Sequence, residues 1–304
     1  MSTNVFLTGT NGYIGKNLYE TLKDSATIYS ISKYPEQSQG DVQYFKGDLF
    51  SLNDMIEALK DIDVAIYFLD PTKRSNKLND ATFKDMNAIS ADNFARAAEI
   101  NDVKEIIYIS GTLEDTETIN ILKSYKVPVR ISDTKVRRPG ILAQTQSSKT
   151  DDVRSIQRTL MPHSWSIEQA ANHYFEWLNT TFFKFVKTTQ SDDVVRIYFG
   201  SQHLLTLTKD TDKCDEYRLV YKINGGKMHY AHENSRARME FRRLKGTDVL
   251  IIALHDYEPT LPWLLYMVTQ APIHHLTMKI FDVEMRIERF SDDAANGVKK
   301  TYTK

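Results

Sequence analysis

The run Thr8-Gly9-Thr10-Asn11-Gly12-Tyr13-Ile14-Gly15 follows the apolar segment Asn4-Val5-Phe6-Leu7 directly and precedes a helical pattern over residues 16–23. Those residue types at that spacing suit the holding of a pyrophosphate. Gly9 lets the chain turn sharply off a strand, Gly12 lets the backbone approach the phosphates, and Gly15 lets a helix pack closely on the sheet. The N-terminus of that helix then faces the anion. The run therefore predicts dinucleotide binding, with Gly9, Asn11, Gly12, Tyr13 and Ile14 as cofactor-binding residues. About 20 residues past the glycines, where an adenosine ribose is held, stand Ser32 and Lys33. A carboxylate there would suit the ribose hydroxyls of NAD(H), whereas a hydroxyl beside a cation suits a 2'-phosphate, so the pattern favours NADP(H). The plainer alternative is that Lys33 is an ordinary solvated loop lysine.

Other chemistries find little support. The one cysteine, Cys214, lies in a polar run, and no Gly-x-Ser-x-Gly elbow occurs, so nucleophilic catalysis has no candidate. His229 with His232 and the adjacent pair His274-His275 lack ligand spacing, and no metal is expected. Arg236, Arg238, Arg242, Arg243 and Lys245 alternate with Met239 and Phe241, which reads as an exposed strand face more readily than as an anion site. Trp165, Trp177, Phe182, Phe183, Phe185, Trp263, Tyr266 and Phe281 are available to line an apolar cavity, or simply to fill a core.

The elements that position these residues fall into two groups. Short apolar runs at 4–7, 27–32, 42–46, 64–69 and 106–110 alternate with helical patterns at 13–22, 52–59 and 87–100, the last carrying Ala88, Ala91, Ala95 and Ala98 on one face. This predicts an α/β, doubly wound parallel sheet covered on both sides, over residues 1–145. A polar linker follows, and a second domain over 152–290 opens with a strand at 153–160. Ser166-Ile167-Glu168-Gln169 is a capping box for a helix with Ala170, Tyr174, Trp177 and Leu178 on its apolar face. Extended segments are expected at 194–199, 204–208, 216–223, 227–232, 237–243 and 249–255, with Asn224-Gly225-Gly226 as a tight turn between two of them. A helical pattern over 261–290, broken or restarted at Pro272, closes the domain, and residues 291–304 read as a polar, frayed tail.

The glycine run, the triplet Gly47-Asp48-Leu49 and the strand end Tyr108-Ile109-Ser110-Gly111 together resemble the short-chain dehydrogenase/reductase superfamily, in particular its atypical, NmrA-like branch. The resemblance covers residues 1 to about 145, and Arg138-Pro139-Gly140-Ile141 is similar to a later strand of the family. It implies that Asp48 and Leu49 lie by the adenine, that Phe68-Leu69-Asp70 runs past the cofactor, and that Ser110 makes a polar contact near the nicotinamide. A serine ending a buried strand also commonly bonds neighbouring backbone. The superfamily's usual catalysis needs a tyrosine and a lysine four residues apart on the helix after the Ser110 strand. Residues 112–124 contain no tyrosine, and Tyr19 with Lys23 sits on the wrong helix, so the catalytic residues are unknown.

The second half resembles the START-like (SRPBCC) helix-grip fold, an α+β domain with an antiparallel sheet. The resemblance rests on the 153–157 start, the Gly225-Gly226 turn and the stretch Pro259-Thr260-Leu261-Pro262-Trp263 leading into Tyr266. That fold commonly encloses an apolar ligand between sheet and helix. With 39 basic against 40 acidic residues, no electrostatic case exists for nucleic acid or an anionic membrane as partner. Absence of a leader or transmembrane pattern and of a possible internal disulfide suggests a cytoplasmic protein. Two functions follow as expectations: an atypical NADP(H)-dependent oxidoreductase acting on an apolar small molecule, or a nonenzymatic NADP(H)-dependent sensor or hydrophobic-ligand-binding protein.

Overall fold

The computed structural model describes residues 2–35, 41–69, 76–110, 115–132, 152–181 and 185–298. The chain divides into two compact units, Met1–Ser75 with Met86–Gln146, and Asn76–Asp85 with Ser147–Lys304.

The first unit is built on strands β1 (Thr3–Leu7), β2 (Ala26–Ser32), β3 (Gln43–Lys46), β4 (Val64–Tyr67), β6 (Glu105–Tyr108) and β7 (Val129–Ile131). They pair in the order β3-β2-β1-β4-β6-β7, all parallel. This is a Rossmann sheet, whose order reverses beside β1 and leaves a crevice at the carboxyl ends of the strands. Helices α1 (Tyr13–Leu22), α2 (Leu52–Ala58), α3 (Phe83–Ile100) and α4 (Thr116–Lys123) make the crossovers. Strand alternation divides the core. Val5 and Leu7 face Ile14 of α1, while Phe6 turns to the other side and packs its ring 6.1 Å from that of Phe94 on α3. The alanines of α3 are fully buried, which brings that helix close to the sheet. The stretch 138–141 lies outside the described residues.

The second unit contains β5 (Leu78–Asp80), β8 (Val153–Leu160), β9 (Val186–Ser191), β10 (Val194–Phe199), β11 (Gln202–Lys209), β12 (Arg218–Gly225), β13 (Arg238–Arg243) and β14 (Val249–Tyr257), with helices α5 (Ile167–Thr181), α6 (Trp263–Val268) and α7 (Gln270–Ala295). Strands β9 to β14 form an antiparallel meander, and β8 closes the sequence by pairing with β14. The expected capping box opens α5: Ser166 N–H donates to Gln169 Oε1 at 2.7 Å, and Gln169 N–H donates to Ser166 Oγ at 3.1 Å. Tyr174 and Trp177 of α5 and Met278, Phe281 and Met285 of α7 pack with Phe241 and Ile252 of the sheet into one core.

The structure departs from the sequence reading at several points: α7 runs on to Ala295 with Asp293 buried, so residues 291–295 are helix and not tail, and β9 is a strand with no counterpart in that reading. Strand β5 leaves the first half of the chain and pairs in parallel with β8, Leu78 opposite Val153. Residues 227–232 form no strand; only an isolated bridge joins His229 to Pro259. Asn224-Gly225-Gly226 accordingly ends β12 rather than making a hairpin. Gly226 has φ +100°, and a Cβ there would fall 2.1 Å from the Leu204 carbonyl oxygen, so close backbone approach is what requires glycine. Finally, the helix break falls at Thr269 rather than Pro272. Pro272 sits in the first turn of α7, where its missing N–H would have had no helical acceptor.

Candidate functional site

At the end of β1, Thr8 ties two strands together: its hydroxyl donates to the Phe68 carbonyl at 2.5 Å and accepts from Phe68 N–H at 3.0 Å. The glycine turn begins there. Gly12 is the N-cap of α1 in an extended conformation, no side chain caps the helix, and its first turn carries no acidic residue. The positive end of the helix dipole is left for an external anion. Gly15 is where the turn demands glycine, since a Cβ there would lie 2.1 Å from the Gly9 carbonyl oxygen and 2.7 Å from Thr10 Cα. Gly9 has open space around a Cβ position, so its role is not dictated by crowding within the chain. Thr10 hydrogen-bonds the hydroxyl of Tyr44 on β3, fixing the far wall of the turn. The turn, the uncapped helix and the close packing at Gly15 fit a dinucleotide phosphate.

Residues at the ends of β2 and β3 converge. Lys33 Nζ lies 3.2 Å from Asp48 Oδ2, with only 17% of the lysine side chain exposed, so Lys33 is not a freely solvated loop residue. Asp48 is buried and accepts from Phe50 N–H at 3.1 Å, and its own N–H donates to Asp54 Oδ2 at 2.8 Å. Ser32 accepts from Tyr34 N–H through its hydroxyl and from Gly47 N–H through its carbonyl. Buried Leu49 offers its carbonyl to Asn93. Phe68 is buried and packs with Ile14, whereas Leu69 and Ser110 are half-buried at the ends of their strands. Asp70 and Gly111 lie outside the described residues.

Next to Ser110 is a hydroxyl network with no counterpart in the sequence reading. Tyr108 donates to Asp115 Oδ2 at 2.6 Å, and Asp115 also accepts from Asn87 Nδ2 at 3.1 Å. Tyr67 reaches Asn87 Oδ1 and Ser90 Oγ, each at 2.7 Å. Burial pushes the Tyr108 hydroxyl above the ordinary tyrosine range, and its bond to the Asp115 carboxylate adds to the rise; burial does the same to Tyr67. Tyr19 and Lys23 are engaged separately, Tyr19 with Asp41 N–H and Lys23 with Glu20.

In the second unit a cavity of about 100 Å³ lies between the sheet and the helices, lined by Tyr174, Leu207, Met239, Ile252, Tyr266 and Met278 among others. Its polar features are few. His274 lies 3.3 Å from Ser155 Oγ, and Gln270 Oε1 is buried with no hydrogen-bond partner among the described residues. Of the aromatics proposed to line a cavity, Tyr266 lines this one and Phe281 a second, beside Gln157 and Ile252; Trp177 belongs to the core, Phe185 is exposed and stacks on Phe199, and Phe182 and Phe183 lie outside the described residues.

Comparison with known proteins adds identity to this geometry. Residues 5–116 match the NAD dependent epimerase/dehydratase family. Over 308 aligned residues, covering all of both chains, the sequence is 35% identical to the auxiliary protein GraX of Staphylococcus aureus. This chain belongs to the GraX family. Solved structures with partial likeness include a nucleoside-diphosphate-sugar epimerase from Staphylococcus aureus, 14% identical over 59% of this chain and 56% of that one, with a TM-score of 0.36. Another is the NADPH-dependent quinone oxidoreductase QOR2 of Escherichia coli, 19% identical over 42% of this chain and 47% of that one, with a TM-score of 0.34. In this GraX-family chain the first unit is thus an NAD(P)-binding Rossmann domain of epimerase/dehydratase type, followed by an antiparallel-sheet domain. Among the described residues, no helix is long and apolar enough to cross a membrane.

The arginine stripe of the GraX-family chain corrects the sequence reading. Arg238 and Arg242 are buried rather than solvated, and with them Arg218 and Glu240. Glu240 Oε1 accepts from Arg242 Nε at 2.7 Å, Glu240 Oε2 from Arg218 at 3.1 Å, and Arg238 reaches Asp256 at 3.0 Å. Alternation correctly placed these residues opposite Met239 and Phe241, but the carboxylate between them allows that face to be buried too. Burial alone would raise the Glu240 carboxyl; Arg218 and Arg242 outweigh it and hold the group well below the usual carboxylate range. Arg236 remains exposed, and Arg243 pairs with Asp248. The histidines weighed as ligands are hydrogen-bonded elsewhere: His229 to Glu258 and Ser235, His232 to Glu258, and His275 to Asp80. Among the described residues, one group of metal-ligand type, His173 with Glu284 and Glu288, brings its ligand atoms within 4.8 Å of one another. Within it, His173 Nε2 lies 3.4 Å from Glu284 Oε1.

Proposed function

We propose that this protein binds NADP(H) on an atypical, NmrA-like dehydrogenase/reductase domain and an apolar small molecule in a START-like (SRPBCC) helix-grip domain. The observation that carries the first half is the glycine turn, closed against Gly15 and leaving the N-terminus of α1 uncapped. Support for NADP(H) over NAD(H) comes from Ser32 and Lys33 at the end of β2, with the ammonium oriented by Asp48 instead of being left to solvent. The helix-grip reading is supported by β8 beside β14, the meander between them, and α7 over the sheet with an apolar cavity beneath it.

When bound, the dinucleotide supplies a hydride donor or acceptor; whether this chain uses it depends on a proton donor. A general acid works best with a pKa near the operating pH. The tyrosines beside Ser110 are pushed the other way, by burial and by Asp115. That observation favours the nonenzymatic reading, an NADP(H)-dependent sensor or hydrophobic-ligand-binding protein, and the description of the 35% identical relative as an auxiliary protein agrees with it. The intact cofactor turn favours the oxidoreductase reading.

Titration of the purified protein with NADPH and NADH, followed by nicotinamide fluorescence, tests the common premise. Preferential NADPH binding is expected. Failure of both at hundreds of micromolar, an affinity weaker than about 5 kcal/mol, would remove it. Loss of NADPH absorbance on adding apolar carbonyl or enone compounds would select the oxidoreductase; a fluorescent fatty acid bound without cofactor turnover would select the sensor.

A further inference from the structure

Helix α7 packs one face on the sheet through Met278, Phe281 and Met285. Its opposite face is apolar as well. Ile273, Leu276, Ile280, Val283, Ile287 and Phe290 are each between 36% and 63% exposed. Their spacing is 3, 4, 3, 4, 3, which is the heptad seam of a coiled coil and not the broader stripe of a helix lying on a globular core. A contiguous exposed apolar face of this kind marks an interaction site in a folded protein.

We propose that α7 pairs with α7 of a second copy of this chain, as a parallel two-stranded coiled coil. Three observations specify this occupant. With Ile273 at position a, all three a positions are isoleucine, and the d positions are Leu276, Val283 and Phe290; β-branched residues throughout a, with leucine at the first d, match the pattern that favours two parallel strands at that end of the seam. In that register Lys279 occupies g and Glu284 occupies the e position five residues on, so each Lys279 faces the Glu284 of the other copy, twice by symmetry. Lys279 has no ion-pair partner among the described residues of its own chain, and Glu284, whose Oε1 lies 3.4 Å from His173, has its Oε2 left for the Lys279 of the other copy; Arg286 at the next g is already paired with Asp282 at 2.6 Å. The charge of the helix also argues against an anionic membrane surface, because three basic residues stand against five acidic ones.

Sedimentation of the full chain over a range of micromolar concentrations is the first test, and a concentration-dependent dimer is expected. Ile280→Asp should leave a folded monomer, checked by circular dichroism. Lys279→Glu should weaken the dimer by about threefold, a surface-pair effect, and adding Glu284→Lys should restore it. Orientation is read with Ile273→Cys in a Cys214→Ser background. Parallel pairing places the two new thiols side by side and gives a disulfide-linked dimer on mild oxidation. Antiparallel pairing would set Ile273 opposite Phe290, about 25 Å away along the axis, and give none. A chain that stays monomeric, that binds vesicles of anionic lipid through this face, or whose dimer is indifferent to Ile280→Asp would overturn the proposal.

Discussion

Replacing Gly15 with alanine adds a single methyl group at the tightest point of the cofactor turn. Its Cβ would fall 2.1 Å from the Gly9 carbonyl oxygen, 2.8 Å from the Gly9 carbonyl carbon and 2.7 Å from Thr10 Cα, all backbone atoms. No side chain can rotate away to relieve the clash. Helix α1 must shift outward or the turn must open by more than an ångström, and overpacking of this kind costs about 1–3 kcal/mol. Either movement displaces the N-cap at Gly12 from the place where the helix dipole meets an anion. A loss of about 1.4 kcal/mol is tenfold in affinity. Gly15→Ala should therefore weaken NADPH binding by about tenfold or more and lower the melting temperature of the first unit by several degrees. Gly9→Ala is the matched control, since open space surrounds its Cβ position, and it should leave the melting temperature unchanged. Fluorescence titration and differential scanning calorimetry on the three proteins decide the matter. A Gly15→Ala protein that melts and binds NADPH like the parent would refute the assignment of the turn.

Lys33→Asp should shift cofactor preference toward NADH, because it replaces a cation beside the ribose site with a carboxylate facing Asp48; the ratio of the two dissociation constants reads it. Glu240→Gln leaves Arg218 and Arg242 buried without their carboxylate and should destabilise the second unit by about 3–5 kcal/mol in urea unfolding, an effect a double change of Glu240 and Arg242 to apolar residues would partly remove. His255 is fully buried, and burial holds its imidazole well below the ordinary value of 6.5. Its unfolded form therefore binds the proton first, so the stability it contributes is complete above pH 6.5 and falls as the pH drops toward the folded-state value. Urea midpoints measured from neutral pH downward should show that loss, and His255→Leu should make it smaller.

Much of the first unit could be read from residue order because parallel strands covered on both faces are short, continuous apolar runs, and because the alanines of α3 repeat at helical spacing. The glycine turn was legible for the same reason: its neighbours in sequence are its neighbours in space. The rest of the site was harder to see. Lys33 and Asp48 meet only because β2 and β3 pair, and the Tyr67, Asn87, Tyr108 and Asp115 network joins β4, α3, β6 and the N-cap of α4. In the second unit, β9 is a polar edge strand, Lys187-Thr188-Thr189-Gln190, without the alternation that marks a strand, and β5 is too short to show any. The arginine stripe was misjudged because counting cations omitted Glu240 between them. The two apolar faces of α7 overlap in the sequence as one long hydrophobic pattern, and only packing separates the face that is buried from the one left open.

Strand β5 also imposes an order on synthesis. It is made as part of the first half of the chain, yet its partner β8 is 75 residues further along, and the ribosome needs about 4–15 s to reach it at roughly 5–20 residues per second. During that interval the nascent chain must carry the segment Asn76–Asp85 as an unpaired excursion while the strands on either side of it are ready to fold. A fragment that stops at residue 145 would be held permanently in this unfinished condition, with a strand belonging to a sheet it does not contain. Trimming from the other end removes the same strand from the sheet that needs it. The two units can be described separately, but a single cut cannot separate them cleanly, and expression of either half should retain the excised loop 76–85 with the second half, grafted ahead of residue 152.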